Sequence, residues 1–368
     1  MGRVLALALL ALLAVSGAGH AAPAPPLLGA SSAVLLDGRT GRLMYARAPH
    51  ARRPPASTTK ILTALLVAES LTPASVVVIG PRASAERSGS AIGLEAGERW
   101  SVGDLMRALL MHSANDAAVA LAEGVAGSVE AFTAQMNARA AALGARNTHL
   151  VTPHGRYDPR HFSSAYDLAL IARAALARPW IAEIVQSQTW PLRRGKGRLL
   201  INTNKLLWQY AGADGVKTGW IAESGPTLVA SATRGGWQLI AVVLNSPEVF
   251  ADAAALLTYG FGGFERLRAG TAGDAVRTVS VPGARQPLHA VLAEDAVVVV
   301  RRGAGVVPRV ELSRATAPIG AGEVVGTVAY VSDGIEVGRV SLVAAEAVPV
   351  LSPFGRLRQW LRVRISGP

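Results

Sequence analysis

A serine and a lysine three residues apart, Ser57 and Lys60, head an apolar helical pattern, and two further polar segments follow at long range: Ser113-Ala114-Asn115 and Lys217-Thr218-Gly219. Residues three apart on a helix share a face, so the Ser57 hydroxyl and the Lys60 amine fall within reach of each other. A serine hydroxyl is a poor nucleophile until a base removes its proton. A lysine can act as that base at neutral pH only if burial or a nearby positive charge lowers its pKa, and Lys217 would supply such a charge. Any one of these segments arises by chance in a chain of 368 residues, but the ordered set does not. A fold that carries it must bring a helix start, a mid-chain helical link and a later strand to one place.

The hydrophobic pattern offers such a fold. Residues 33–36 and 42–45 read as two strands joined by Asp37-Gly38-Arg39-Thr40-Gly41. Pro54-Pro55 bars helix upstream of Ser57, where a helical run begins with Ile61, Leu62, Leu65, Leu66 and Ala68 on one face. Ser57 is thus placed at a helix N-terminus, where unpaired N–H groups and the positive end of the dipole favour an oxyanion. Helical patterns recur over 102–111, 116–125, 129–143 and 164–176, and strands over 215–220, 227–232 and 237–244, the last two joined by Arg234-Gly235-Gly236. Helices from the middle of the chain packed on an antiparallel sheet drawn from both ends make an α+β layered domain. Beyond Gly262 the helical patterns stop and short Val-rich runs recur, at 276–281, 296–300, 307–312 and 323–331, with Ser332-Asp333-Gly334 as a hairpin signal. A second, all-β domain is expected there.

The three segments resemble the signatures of serine penicillin-binding proteins and β-lactamases. Their flanks, Pro54-Pro55-Ala56-Ser57-Thr58-Thr59-Lys60-Ile61-Leu62-Thr63, Leu110-Met111-His112-Ser113-Ala114-Asn115-Asp116-Ala117-Ala118 and Asp214-Gly215-Val216-Lys217-Thr218-Gly219, narrow the resemblance to the low-molecular-mass D-alanyl-D-alanine carboxypeptidases. It runs from about Ser31 to Gly262 and more weakly to the C-terminus. It implies a β-lactamase/transpeptidase-like catalytic domain over 31–262 and an all-β domain over 270–349. It also implies peptidoglycan stem peptides as substrate, β-lactams as covalent inhibitors, and no metal or other cofactor. Lys60 would take the proton of Ser57, which attacks the carbonyl of the penultimate D-alanine. Ser113 would relay a proton to the leaving amine, Asn115 would hold the substrate amide, and Lys217 with Thr218 would bind the terminal carboxylate. Gly219 would let the substrate strand lie close, and the backbone N–H groups of Ser57 and Trp220 would form the oxyanion hole. Trp220 and Ile221 stand where members more often carry Tyr, His or Phe and then Thr, a bulkier and less polar wall.

Rival readings leave marks of their own. A class A β-lactamase needs a glutamate to activate the deacylating water, yet no glutamate lies between Glu130 and Glu183, and the middle segment reads Ser-Ala-Asn rather than Ser-Asp-Asn. A transpeptidase or endopeptidase differs only in how the groove treats an incoming amine. A silent peptidoglycan-binding scaffold would be expected to have lost one of the site residues. His112 reads as a wall residue, and His149, His154 and His161 as structural, with no acidic partner at triad-like spacing.

The ends carry an address. Arg3, an apolar run over 4–15 and the small residues before Ala21 read as a secretory signal over 1–21, too short for the roughly 20 residues that span a bilayer. A linker over 22–30 follows. The chain has no cysteine, so no disulfide staples it. A net charge of +12 fits anionic lipid and wall polymers, and export argues against nucleic acid. The tail over 350–368 mixes Arg356, Arg358, Arg362 and Arg364 with Phe354, Leu357, Trp360, Leu361, Val363 and Ile365. It suits an interfacial helix on an anionic membrane surface and, by its alternation, a last strand nearly as well.

Overall fold

The computed structural model describes residues 23–192, 198–313 and 316–352. The expected signal over 1–21 and the basic tail from residue 353 lie outside the described residues. The chain divides into two compact bodies, one from Ala24 to Gly262 and one from Gly263 onward.

The first body is built on a five-stranded antiparallel sheet. Strands β1 (Ser32–Asp37) and β2 (Leu43–Arg47) come from the start of the chain, and β3 (Ala213–Gly219), β4 (Thr227–Arg234) and β5 (Trp237–Leu244) from its later part, in the order β2-β1-β5-β4-β3. Strand β1 is buried along its whole length between β2 and β5, with Val34 opposite Val242 and Leu36 opposite Ile240. That places β3, which carries Lys217-Thr218-Gly219, at the open edge.

The longer helices are α1 (Lys60–Ser70), α2 (Val102–Met111), α3 (Asn115–Ala126), α4 (Val129–Ala142), α5 (Ala165–Leu176), α6 (Pro179–Gln186) and α7 (Val249–Gly263). Serine hydroxyls of Ser101, Ser128 and Ser164 accept the backbone N–H groups of Asp104, Ala131 and Asp167 and so start α2, α4 and α5. Helix α5 packs on β1 and β5, and α1 packs against α5, α3, α4 and α2. Ile61, Leu62, Leu65 and Leu66 join Leu105, Leu109, Leu121, Phe132 and Leu168 in one core. The α+β layering read from the sequence is therefore the observed one.

Two local differences matter. Ser57 sits in a 3₁₀ turn, Ala56–Thr59, ahead of α1, rather than in the α-helix itself. Helix α7 was not legible as a helix: its 15 residues are apolar nearly all round and include Gly260, whose missing Cβ would meet Leu239 Cδ1 at 2.5 Å and Leu35 Cδ2 at 2.7 Å. The glycine lets the helix lie close on the sheet, and it blurs the periodicity that would announce it.

The second body is all-β. Strands β6 (Phe264–Gly270) and β9 (Ala296–Arg301) pair, and β7 (Ala275–Val279), β8 (Leu288–Leu292), β12 (Ile335–Ala344), β11 (Val324–Ser332) and β10 (Val307–Leu312) form a sheet in that order. Leu288, Ala290, Val298, Val328, Tyr330 and Leu342 fill its core. The β11–β12 hairpin turns on Asp333 and Gly334, both at positive φ (50° and 77°), the primed turn that suits the twist of a two-residue hairpin.

Candidate active site

Three elements meet around the Ser57 turn. The turn follows Pro54-Pro55, and Ala56 is held at φ 49°, a left-handed conformation that a residue with a Cβ adopts only under constraint. Thr58 N–H donates to Pro55 O at 3.2 Å and Thr58 Oγ1 to the same oxygen at 2.6 Å, so the turn is closed before α1 begins. Strand β3 comes up against this turn at Gly219, where a Cβ would lie 2.5 Å from Thr227 Oγ1 and 3.1 Å from both Pro55 O and Ala56 Cβ. Glycine is required there by the close approach of two backbones.

Lys60 is the centre of the site. It is fully buried, and its Nζ lies 2.9 Å from Ser57 Oγ while donating to Asn115 Oδ1 at 2.7 Å and to His154 O at 2.9 Å. Burial, and then the charge of Lys217, push its pKa well below that of an ordinary lysine. Lys217 is buried on β3, where burial alone brings its pKa down to about 7, and its Nζ donates to Thr218 O at 3.0 Å. Thr218 Oγ1 shares a 2.6 Å hydrogen bond with Thr203 Oγ1 at the exposed side of the strand.

The middle segment joins two helices. Ser113 is 8% exposed and stands at φ 65° between α2 and α3, a strained link of the kind that gathers at working sites. Asn115 opens α3; its Nδ2 donates to Ser88 O at 2.6 Å, which fixes Oδ1 toward Lys60, and its N–H donates to Ser90 O at 2.7 Å. Ser57, Lys60 and Asn115 are thus joined directly, and Lys217 adds its charge. Trp220, expected at the end of the strand, lies just beyond β3 and is 68% exposed, outside this hydrogen-bonded set.

Several residues were not legible as parts of the site. Asp116 is fully buried and accepts the N–H groups of Ile92, Gly93 and Leu94, which locks the loop before α2 onto α3. The segment after α4 clamps the other side: Thr63 Oγ1 donates to Pro153 O at 2.6 Å, and a Cβ on Gly155 would fall 1.8 Å from Ala56 O. His161 accepts Val151 N–H at Nδ1 and so carries its proton on Nε2, 2.9 Å from Thr59 Oγ1. Burial takes its pKa down to about 3. His154 does have an acidic partner, contrary to the expectation from spacing: Nε2 faces Glu86 Oε2 at 3.5 Å. The two are far apart in sequence, so no short-range pattern could reveal the pair.

With a serine, a deprotonable lysine and an asparagine sharing one hydrogen-bonded centre beside a second buried lysine, the arrangement can carry out acyl transfer at serine. Residues 19–248 match the D-alanyl-D-alanine carboxypeptidase family, and residues 264–350 match the C-terminal domain of penicillin-binding protein 5. The chain belongs to the D-alanyl-D-alanine carboxypeptidase family. A carboxypeptidase relative, DacF of Bacillus subtilis, is 34% identical over 86% of this chain and 85% of its own length. Among solved structures, penicillin binding protein 5 of Haemophilus influenzae is 31% identical with a TM-score of 0.80, covering 89% of this chain and 99% of that one. A mutant of the Streptomyces K15 DD-transpeptidase is similar to 64% of this carboxypeptidase-family chain and to 99% of its own, at 32% identity and a TM-score of 0.60. The helix-and-sheet body followed by an all-β body is the architecture shared with penicillin binding protein 5.

Proposed function

We propose that this protein is an exported serine-type D-alanyl-D-alanine carboxypeptidase that removes the terminal D-alanine from peptidoglycan stem pentapeptides through an acyl-enzyme on Ser57. The observation that carries the reading is the surroundings of the Lys60 amine. Two of its three partners, Asn115 Oδ1 and His154 O, can only accept. A neutral amine has two N–H groups and one lone pair; with both N–H groups given to those acceptors, the lone pair faces the Ser57 hydroxyl, 2.9 Å away.

Each step then has a group to perform it. Ser57 Oγ attacks the carbonyl of the penultimate D-alanine as its proton passes to Lys60 Nζ. The oxyanion is received by the backbone N–H groups of Ser57 and Trp220. The peptide bond breaks, and the leaving D-alanine amine takes its proton through Ser113. Water then hydrolyses the ester and restores Ser57. Asn115 Nδ2 keeps a second N–H for the substrate amide, and Lys217 with Thr218 takes the terminal carboxylate. Gly219 leaves the edge of β3 open to an extended peptide. A β-lactam would enter by the same attack and, with no deacylating glutamate between Glu130 and Glu183, would leave slowly.

Action on peptidoglycan places the work outside the cytoplasm. We further assign residues 1–21 to a removable signal, 31–262 to the catalytic domain, 270–349 to the β domain, and the basic tail to attachment on an anionic membrane surface. A second reading, transpeptidation or endopeptidase cleavage of cross-links, draws on the likeness to the Streptomyces transpeptidase. The deciding experiment is release of D-alanine from a diacetyl-Lys-D-Ala-D-Ala peptide, with and without penicillin, beside the Ser57→Ala variant. Penicillin-blocked, Ser57-dependent release is expected. Covalent labelling without release would favour the second reading, and neither signal would reject the enzyme.

A further inference from the structure

Glu86 stands where the short helix Pro81–Ala85 ends, and no step above uses it. Its side chain is 14% exposed, and its two oxygens go different ways. Oε1 accepts the Ser88 N–H at 2.9 Å and the Ser88 hydroxyl, while Oε2 faces His154 Nε2 at 3.5 Å. His154 Nδ1 accepts Arg156 N–H at 3.2 Å, so the imidazole proton is on Nε2 and points at the carboxylate. From Ser88 the path continues: Ser88 O accepts Asn115 Nδ2, Asn115 Oδ1 accepts Lys60 Nζ, and Lys60 Nζ also donates to His154 O. The contacts close on themselves.

We propose that Glu86 is a positioning residue for acyl transfer, its carboxylate closing the ring Glu86, Ser88, Asn115, Lys60 and His154 and so fixing the Lys60 amine against Ser57. The proposal rests on Lys60 being the base. Glu86 reaches Lys60 from both sides, through the residue that supplies Asn115 with its acceptor and through the residue whose carbonyl holds Nζ. An amide cannot replace it. Glutamine has one acceptor oxygen and an NH₂ group, so either the Ser88 N–H or the His154 Nε2–H would face another donor.

Glu86 also acts by charge. The charged and titratable groups facing Lys60 are Lys217 from β3, Asp116 from α3, His154 and His161 from the segment after α4, and Glu86. Lys217 lowers the basicity of Lys60, whereas Glu86 and Asp116 oppose it. Hydrogen bonding from His154, then from Ser88, holds the Glu86 carboxyl down to about 2, so the charge is present throughout the working range. His154 itself is kept neutral mainly by burial.

The test compares full-length wild type, Glu86→Gln and Glu86→Asp for the rate of acylation by a fluorescent penicillin as a function of pH, with thermal unfolding run on each. Glu86→Gln should acylate more slowly on the order of tenfold, with its acid limb moved to lower pH because a negative charge near Lys60 is gone. Glu86→Asp keeps the charge but loses reach, so its limb should return toward the wild-type position while its rate stays reduced. Wild-type rate and limb in Glu86→Gln would overturn the proposal, as would slowing that follows lowered thermal stability with the limb unmoved. If Glu86→Gln does not fold, a wild-type rate in Glu86→Asp overturns it, and a reduced rate at unchanged stability supports it. No labelling of the wild type would instead reject the Lys60–Ser57 reading itself.

Discussion

The two walls of the site are built to opposite rules. On the helix wall the Lys60 amine is surrounded: all three neighbours are fixed, and the loop and turn that supply them are pinned by Asp116, Thr63 and His161. On the strand wall Lys217 is equally buried, yet among the described residues its Nζ has one partner, Thr218 O. A buried cation with donors to spare is costly unless something arrives to pair with it. The difference suggests a division of labour. In the proposed mechanism the saturated wall holds a proton acceptor still, and the unsaturated wall waits for an anion, the terminal carboxylate of the peptide.

Breaking the helix wall should cost the most. Lys60→Arg retains charge and length but replaces the amine with a guanidinium that cannot accept a proton at neutral pH. Acylation by penicillin and D-alanine release should both fall by about 10³-fold or more, read as the second-order labelling rate and as kcat/KM. Undiminished turnover would remove Lys60 from the base role and erase the contrast between the walls. Breaking the strand wall should look different. Thr218→Val keeps the shape of the strand edge while removing one hydroxyl, and the loss should fall mainly on KM, on the order of tenfold, with a smaller change in kcat. If kcat fell and KM did not, the strand wall would be part of the chemistry rather than a receptor for the carboxylate.

Much of this contrast is legible in the amino-acid sequence. Ser57 and Lys60 announce themselves because they stand three apart at a helix start, and Asn115 and Lys217 because they complete an ordered set with that pair. The layering is legible because α1 and α5 each keep a helical period and β1 is a short apolar run closed by a turn signal. The supports are not. Asp116 reads as one more acid beside Asn115, His154 and Glu86 meet only after the chain has folded, and Gly155 shows its purpose only when Ala56 O is seen against it. Helix α7 escapes because a helix that is apolar nearly all round and carries several glycines has only a weak amphipathic signature.

The two lysines also titrate in opposition. Lys60 must lose its proton to work, so kcat should rise as pH climbs through its lowered pKa. In the proposed mechanism Lys217 must keep its proton to bind a carboxylate, and with a pKa of about 7 in the free enzyme it loses that charge as pH rises past neutrality. KM for the peptide should therefore increase above about pH 7 while kcat does not fall with it. Separate kcat and KM profiles check this. Parallel movement of the two would mean that one coupled titration governs both walls.

The smallest expected effect concerns what keeps the helix wall rigid. His161 is buried and neutral, with its pKa lowered from 6.5 to about 3, chiefly by burial. Between those values the unfolded chain binds a proton that the folded chain does not, so stability falls as pH drops from 6.5 toward 3. Thermal unfolding of the wild type should show that slope, worth roughly a few kcal/mol over the whole window. In His161→Gln the slope from this group should vanish, because glutamine still reaches Thr59 with a donor but does not titrate. At neutral pH the substitution should leave penicillin acylation within about threefold of wild type, since Lys60 keeps all three of its neighbours. A large loss of acylation at unchanged stability would mean that the Thr59–His161 contact sets the aim of the Ser57 hydroxyl as well as pinning the turn, and that the wall's rigidity matters under the nucleophile more than around the lysine.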